Sequence, residues 1–242
     1  MALDEAILRS VINKESPNTI RFYKWSPSTV SIGRNQSLTS EVDLDFIKQK
    51  GFNVVRRITG GGAVFHDEFR EITYSIVCPL DFLEKLGAKS VMEQFEIIEM
   101  GIIAGLRFYG LKPEKGIIHC PAIFLDGKKF SGNAQVRKKR YVLQHGTILL
   151  ELEPNLMYSA LKAPYNLSKS RMVKSVYSKC VGIKEHLESY NEESFLSSLK
   201  KGFENSLGII SQENSFTENE LKLANELIET KYGNDKWLMK YE

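Results

Sequence analysis

Cysteine is scarce in this 242-residue sequence: Cys78, Cys120 and Cys180 are widely spaced and odd in number. No CxxC and no Cys/His metal spacing occurs, which argues against a disulfide framework and the common zinc modules. Such usage fits a reducing cytoplasm. An excess of one charge is also missing. Thirty-three basic residues face 30 acidic ones, for a net charge of +3, without the clustered basic excess of a dedicated nucleic-acid binder. No apolar run approaches the ~20 residues of a membrane-spanning helix. The opening Met1-Ala2-Leu3-Asp4-Glu5 carries acids where a secretory leader would carry bases. No G-x-x-x-x-G-K-[ST] nucleotide loop, internal repeat, low-complexity tract or interdomain linker is found. Neither nucleic acid nor a membrane is therefore an expected partner. What is present is ordinary globular material, 42% hydrophobic and 26% charged, sufficient for one α/β domain spanning residues 1–242.

Periodicity supplies the elements. Leu3, Ile7, Leu8 and Val11 are spaced as on an amphipathic helix over residues 3–14. Residues 19–23 and 29–33 read as short strands around a Ser26-Pro27 turn. Residues 43–50 read as a short helix closed by Gly51. In Glu71 to Cys78, Ile72, Tyr74, Ile76 and Cys78 share one face of a strand, which makes Cys78 a core thiol. Residues 91–108 form the longest helix of the first half. Asp126-Gly127 between two short runs is a hairpin signal. On its returning strand, strict alternation puts Lys129, Ser131, Asn133 and Gln135 on one face and Lys128, Phe130 and Gly132 on the other. Residues 162–179 are basic, contain Pro164 and read as a solvated connection, open to an acidic partner. Helices follow over 192–207 and 218–232, the second with Thr217 and Glu220 in capping-box spacing.

The chemically suggestive stretch is Arg56 to Asp67, R-R-I-T-G-G-G-A-V-F-H-D. Three glycines without side chains let a ligand lie on the backbone. Their amides can converge on an anion, and arginine adds a planar fork of donors. A phosphate or carboxylate held there is one reading; a flexible Gly-rich hairpin with surface arginines is the other.

This stretch resembles the signature of the lipoate–protein ligase A family, whose relatives are octanoyltransferases and biotin ligases. The likeness continues upstream through Ser31-Ile32-Gly33-Arg34-Asn35-Gln36 and Glu41-Val42-Asp43. Downstream it takes in Lys129-Phe130-Ser131-Gly132-Asn133-Ala134 and Gln144-His145-Gly146-Thr147. The resemblance implies mixed β-sheets flanked by helices, in the α/β (α+β) fold of biotin and lipoate ligase catalytic domains. It implies a ligase that makes lipoyl-adenylate from lipoate, ATP and Mg²⁺ and passes the acyl group to a lysine of an acceptor protein. The acceptors would be of the 2-oxoacid dehydrogenase E2 or glycine cleavage H protein type. Lys129 would be catalytic, touching the carboxylate and the phosphate. Arg57, Thr59, Gly60, Gly61, Gly62, Ala63, Val64, Phe65 and His66 would surround the ligand with Ser131, Gly132 and Ala134. His145 would be a pocket wall or a hydrogen-bonded structural residue.

Three departures open alternatives. Where ligases carry Asn-Asp-[ILV], with the Asp facing nucleotide and metal, this chain has Pro121-Ala122-Ile123. After His66-Asp67 it runs Glu68-Phe69-Arg70-Glu71-Ile72-Thr73-Tyr74-Ser75, which resembles the octanoyltransferase branch. Cys120, beside His119, lies in the loop where that branch places a nucleophile for an octanoyl or lipoyl thioester. The branch, however, reads Gly-Gly-Arg where Gly60-Gly61-Gly62 stands here. A non-catalytic lipoyl-binding protein is the third reading. Ligases also carry a smaller C-terminal accessory domain, for which the residues after Tyr232 are too few. A separate accessory subunit would then be needed for adenylation. Trp237, Leu238 and Met239 would fold back on the domain or form a docking surface.

Overall fold

The computed structural model describes residues 1–116 and 121–242. Ten α-helices and nine strands are described. In chain order they begin α1 (Ala2–Ile12), β1 (Thr19–Tyr23), β2 (Thr29–Ile32), α2 (Leu38–Glu41), α3 (Leu44–Lys50), β3 (Asn53–Arg56), β4 (Val64–His66) and β5 (Glu71–Pro79). Then follow α4 (Leu80–Lys85), α5 (Val91–Phe108), β6 (Glu114–Lys115), β7 (Ala122–Leu125), β8 (Lys128–Lys138) and β9 (Tyr141–Leu149). The chain finishes with α6 (Pro154–Ala160), α7 (Lys169–Lys179), α8 (Glu192–Leu207), α9 (Glu218–Leu227) and α10 (Asp235–Leu238). No helix among the described residues is long and apolar enough to cross a membrane.

The strands form two sheets. The larger runs β1-β5-β9-β8-β7-β6 with every neighbour antiparallel. The smaller, β3-β2-β4, is mixed: β2 is parallel to β3 and antiparallel to β4. Local chemistry sets many boundaries. Asp43 and Ser90 cap α3 and α5 by accepting from Phe46 N and Glu93 N. Gly51 and Gly208 end α3 and α8 in the left-handed conformation. Thr217 and Glu220 form the expected capping box. Asp126 and Gly127, at φ 48° and 73°, make the expected tight hairpin turn.

One face of the large sheet packs on α5 and α8 and holds most of the core: Ile72, Tyr74, Ile76 and Cys78 from β5, and Ile98, Ile102, Phe195 and Phe203 from the helices. Burial pushes the Cys78 thiol up to about 12, so it is a protonated core group. The two helices cross closely. A Cβ at Gly202 would sit 2.2 Å from Gly105 N, so a larger residue there would force them apart. The opposite face of the sheet is shared by α1, through Ile7, Leu8 and Val11 against Val77 and Leu143, and by the small sheet with the glycine loop. The site lies between these layers.

Two expectations are corrected. Residues 169–179 form a helix, capped by Ser168, which accepts from Arg171 N. Its apolar stripe is short, Met172, Val173 and Val176, and only half-buried, so it stood out little among the basic residues. The face alternation of β8 also fails, because a bulge interrupts the β7–β8 ladder. Phe124 pairs with Lys129 but Ile123 pairs with Ser131, leaving Phe130 as the extra residue. One added residue shifts every later side chain to the other face. Ser131 therefore lies opposite Ile123 and Ile148, facing the helical core, and Asn133 reaches Tyr74 and Glu99 there. Lys129 shares its face with Gly132, whose Cβ would lie 3.1 Å from the Lys129 Nζ.

Candidate functional site

The bulge makes the site. It places Lys129 on the sheet face away from α5 while keeping Phe130 in the core at 0% exposure. The lysine arches over Gly132, which has no side chain to displace it. Gly132 lies in a row with Ala122 on one side and Thr147 and Thr73 on the other. Beyond Thr73 stands Trp25, whose Nε1 donates to Thr73 Oγ1 at 2.8 Å. Its indole stacks on His66 at a centroid distance of 4.2 Å. A half-open trough thus has an ammonium at one end and an aromatic wall at the other.

A buried chain of hydrogen bonds runs beneath that wall. Thr73 Oγ1 donates to Glu71 Oε1 (2.9 Å), which also accepts from His66 Nδ1 (2.6 Å). His66 Nε2 and Ser31 Oγ share a hydrogen bond (2.8 Å), and Ser31 Oγ accepts from Arg57 Nη1 (3.3 Å). Arg57 Nε donates to Thr59 Oγ1 (3.1 Å), which donates to His145 Nε2 (2.7 Å). His145 Nδ1 then donates to Asp4 Oδ2 on α1 (3.1 Å). At His145 this pattern puts the proton on Nδ1, toward Asp4. Burial holds the His145 pKa below its usual value against the pull of Asp4, so it is neutral at pH 7. Burial opposes ionisation of Asp4, but the His145 hydrogen bond and the Arg21 charge outweigh it, and the carboxyl stays well below the usual range.

Arg57 is the hub. All five of its N–H groups are engaged: Thr59 Oγ1, Ser31 O and Oγ, and the Gly60 and Gly62 carbonyls, the last two at 2.7 Å. Burial pushes its pKa down to about 10, and it remains cationic. In a trans peptide the C=O and the next residue's N–H point opposite ways, so drawing the Gly60 and Gly62 carbonyls inward turns the Gly61 and Ala63 amides outward. Neither amide donates a hydrogen bond among the described residues; Gly61 is exposed and Ala63 half-buried. They are available to an incoming anion or oxyanion. Gly33 supports the loop from below: a Cβ there would lie 2.0 Å from Gly61 O.

Arg56 points the other way. It is fully buried at 0% exposure and donates to the carbonyls of Gly33, Arg34 and Gln36 and of Trp237 and Leu238. Trp237 Nε1 returns a bond to Arg56 O at 2.9 Å, and Leu238 packs on the small sheet's core. The apolar cluster near the end folds back on the domain. Glu242 then caps α2 through the Leu38 and Thr39 amides.

Of the residues singled out in the sequence, Lys129, Gly132, Ala134 and His145 share the trough's face of the sheet, with Arg57, Thr59 and His66 above it. Ala63 and Val64 are half-buried beside the loop, and Phe65 belongs to the small sheet's core. Ser131 points to the helical side. Cys120 and His119 lie outside the described residues. Trp25 and Asp4 were not picked out, and Ser31, Glu71 and Thr73 stood only in the motifs of the resemblance, not as site residues. Asp4 had a signal: it lies one and two turns before Leu8 and Val11 on the buried stripe of α1. Cys180 was also missed. Its backbone bridges Lys129, and Val181 N donates to Lys129 O at 3.0 Å. Burial raises the Cys180 pKa, with the Lys129 charge opposing.

Residues 1–204 match the model of the lipoyl protein ligase A/B catalytic domain. The chain belongs to this family. Among its relatives, octanoyltransferase LipM of Brevibacillus brevis is 35% identical, over 98% of this chain and 92% of that protein. LipM of Bacillus subtilis is 32% identical over the same shares. The fold is similar to that of a bi-partite lipoate protein ligase from Thermoplasma acidophilum, at a TM-score of 0.86 and 28% identity, over all of this chain and 91% of that one. It is also similar to lipoate-protein ligase A bound with ATP, at a TM-score of 0.84 and 28% identity, covering 100% of this chain and 93% of that one. The expected architecture, mixed sheets flanked by helices, is the architecture found.

Proposed function

We propose that this chain is an acyltransferase of protein lipoylation, moving an octanoyl group from a thioester donor to a lysine of a lipoyl-acceptor protein. One observation carries this over the ATP-dependent ligase. Ala122 stands where the resemblance puts the ligases' carboxylate, on the trough face directly opposite Gly132 and beside Lys129. A methyl group cannot share the charge of Mg²⁺ and a triphosphate. The described residues therefore do not fit an ATP·Mg²⁺ complex. The LipM relatives, at up to 35% identity over nearly the whole chain, favour the same choice. A transferase needs no adenylation and hence no accessory subunit for it.

In this reading the Cys120 thiolate attacks the carbonyl carbon of the donor thioester. The tetrahedral oxyanion collapses, the donor's C–S bond breaks, and the donor thiolate leaves, taking up the proton that Cys120 gave up. The neutral amine of the acceptor lysine then attacks the enzyme thioester. A C–N bond forms, the C–S bond to Cys120 breaks, and the amine's proton passes to the thiolate. Negative charge develops on oxygen in both steps. The Lys129 ammonium and the outward Gly61 and Ala63 amides would stabilise it in this reading, and a well-placed donor of this kind is worth about 3–4 kcal/mol. Acceptors of the E2 or H protein type follow from the family chemistry.

The contact between Cys180 and Lys129 favours a second assignment of nucleophile, to Cys180. Transfer to a lipoyl domain from an octanoyl thioester, without ATP, separates the readings when run with Cys120→Ser and Cys180→Ser. Loss only in Cys120→Ser is the expected result. Loss only in Cys180→Ser moves the nucleophile. A strict requirement for ATP overturns the transferase.

A further inference from the structure

Resting on the acyl-transfer reading, we propose that residues 235–242 form a strap that sets the glycine loop through Arg56. Arg56, Trp237 and Leu238 are then positioning residues for the transfer site. Arg56 is 0% exposed, yet it belongs to none of the ion pairs among the described residues. A buried guanidinium without a carboxylate is a costly way to fill space, and a well-packed apolar side chain would cost the fold less. What the guanidinium supplies is geometry, because its planar fork fixes the directions of its acceptors. All of its side-chain acceptors are main-chain carbonyls, and they come from two segments far apart in the sequence.

One segment is the turn of residues 33–36, whose Gly33, Arg34 and Gln36 carbonyls accept from Arg56 Nη1. The other is the strap. Arg56 Nε donates to the Trp237 and Leu238 carbonyls, both at 3.0 Å, and Nη2 donates to Leu238 O. The turn is in direct contact with the glycine loop. Arg34 N donates to Thr59 O at 2.9 Å, Arg57 N donates to Ile32 O at 3.0 Å, and Gly33 lies too close to Gly61 O to admit a Cβ. Past the turn, Glu242 accepts from the Leu38 and Thr39 amides. The strap thus grips this segment twice, at the turn through Arg56 and at α2 through Glu242.

The strap adds little to the core. No residue of α10 is buried, Trp237 and Leu238 are half-buried, and Leu238 is the one that packs against the small sheet's core. Undocking it would remove few apolar contacts. It would, however, take the acceptors from Arg56 Nε and Nη2 and release the guanidinium that holds the turn. Thr59 and Gly61 would lose their fixed support, and Thr59 also supplies the hydroxyl between Arg57 and His145. A misplacement of about 1 Å at such a site slows a reaction by as much as ~10²-fold. The strap therefore acts on the rate of transfer more than on the stability of the fold.

The test compares the wild-type chain with three full-length variants. Trp237→Ala/Leu238→Asp removes the indole's bond and the apolar anchor, Leu238→Met keeps the anchor, and Phe195→Leu alters the core under α8, away from the strap. Each is read by hydrogen exchange at the Gly33, Arg34, Gln36 and Arg57 amides and by octanoyl transfer from octanoyl-N-acetylcysteamine to a lipoyl domain. In the double variant, protection at those amides should fall at least about tenfold while β5 and β9 stay protected, and kcat should fall at least about tenfold. Leu238→Met should match wild type. Phe195→Leu should lower Tm without loosening the turn. Unchanged protection at the turn, a loosened turn with unchanged transfer, loss of protection throughout the sheet in the double variant, or the same loosening in Phe195→Leu would overturn the assignment. If wild type transfers nothing, the transferase reading fails, and the exchange comparison, which needs no activity, alone decides whether the strap sets the loop.

Discussion

Replacing Arg57 by lysine separates two roles for this guanidinium. The resemblance makes it a ligand contact; the structure makes it the clamp of the glycine loop, with five donors on acceptors from Ser31 to Gly62. A lysine offers three donors from one nitrogen, so at least two bonds are lost. At the low end of a charge-assisted bond, about 1.5 kcal/mol each, the loss is about 3 kcal/mol. The low end applies because the exposed glycine carbonyls regain water. For a chain of this size that is a fall in Tm of roughly 6–12 °C. Acyl transfer falls with it, because the amides lose their fixed orientation. Thermal unfolding followed by circular dichroism, beside a transfer assay, reads both. An unchanged Tm with transfer abolished would refute the clamp and return Arg57 to the ligand.

Lys129→Ala should lower transfer by about 10²–10³-fold with Tm little changed, since its half-exposed side chain carries no core packing; wild-type rates would place the role elsewhere. Lys129→Arg should fail too, because the fork is wider than an ammonium over Gly132. Gly33→Ala drives a Cβ into Gly61 O, so a loss of about 1–3 kcal/mol is expected, with transfer reduced; unaltered activity would show that the loop position is unimportant. Burial pushes Glu99 up to about 7, against its Asn133 hydrogen bond. Its raised pKa favours the native state below pH ~4.5, and that contribution is lost as pH rises to about 7. Glu99→Gln should therefore stabilise by roughly 2–3 kcal/mol at pH 8 and by little at pH 4; equal effects at both pH values in urea unfolding would contradict the assignment.

The apolar scaffold was legible because its periodicities are long: α5, β5, the hairpin and the capped C-terminal helices stand where the pattern put them. The bulge was not. Lys-Lys-Phe-Ser-Gly-Asn alternates plausibly in either phase, and only the pairing with Ile123 and Phe124 shows the extra residue. The helix α7 was hidden because its apolar face is only Met172, Val173 and Val176, half-buried among basic residues. Glu71, Thr73 and Ser75 form the polar phase of β5 and look solvated in a single strand, yet all three are buried beneath the second layer. Arg56 and Arg57 were correctly seen as donors, but sequence does not say whether the acceptors are a ligand's oxygens or the chain's own carbonyls.

The most direct test of the account is the intact mass of the purified chain after incubation with an octanoyl thioester, with neither ATP nor acceptor present. The account predicts one added octanoyl group, absent in Cys120→Ser, and its passage to a lipoyl domain on mixing. An unmodified chain that nonetheless acylates the domain once lipoate and ATP are supplied would contradict it.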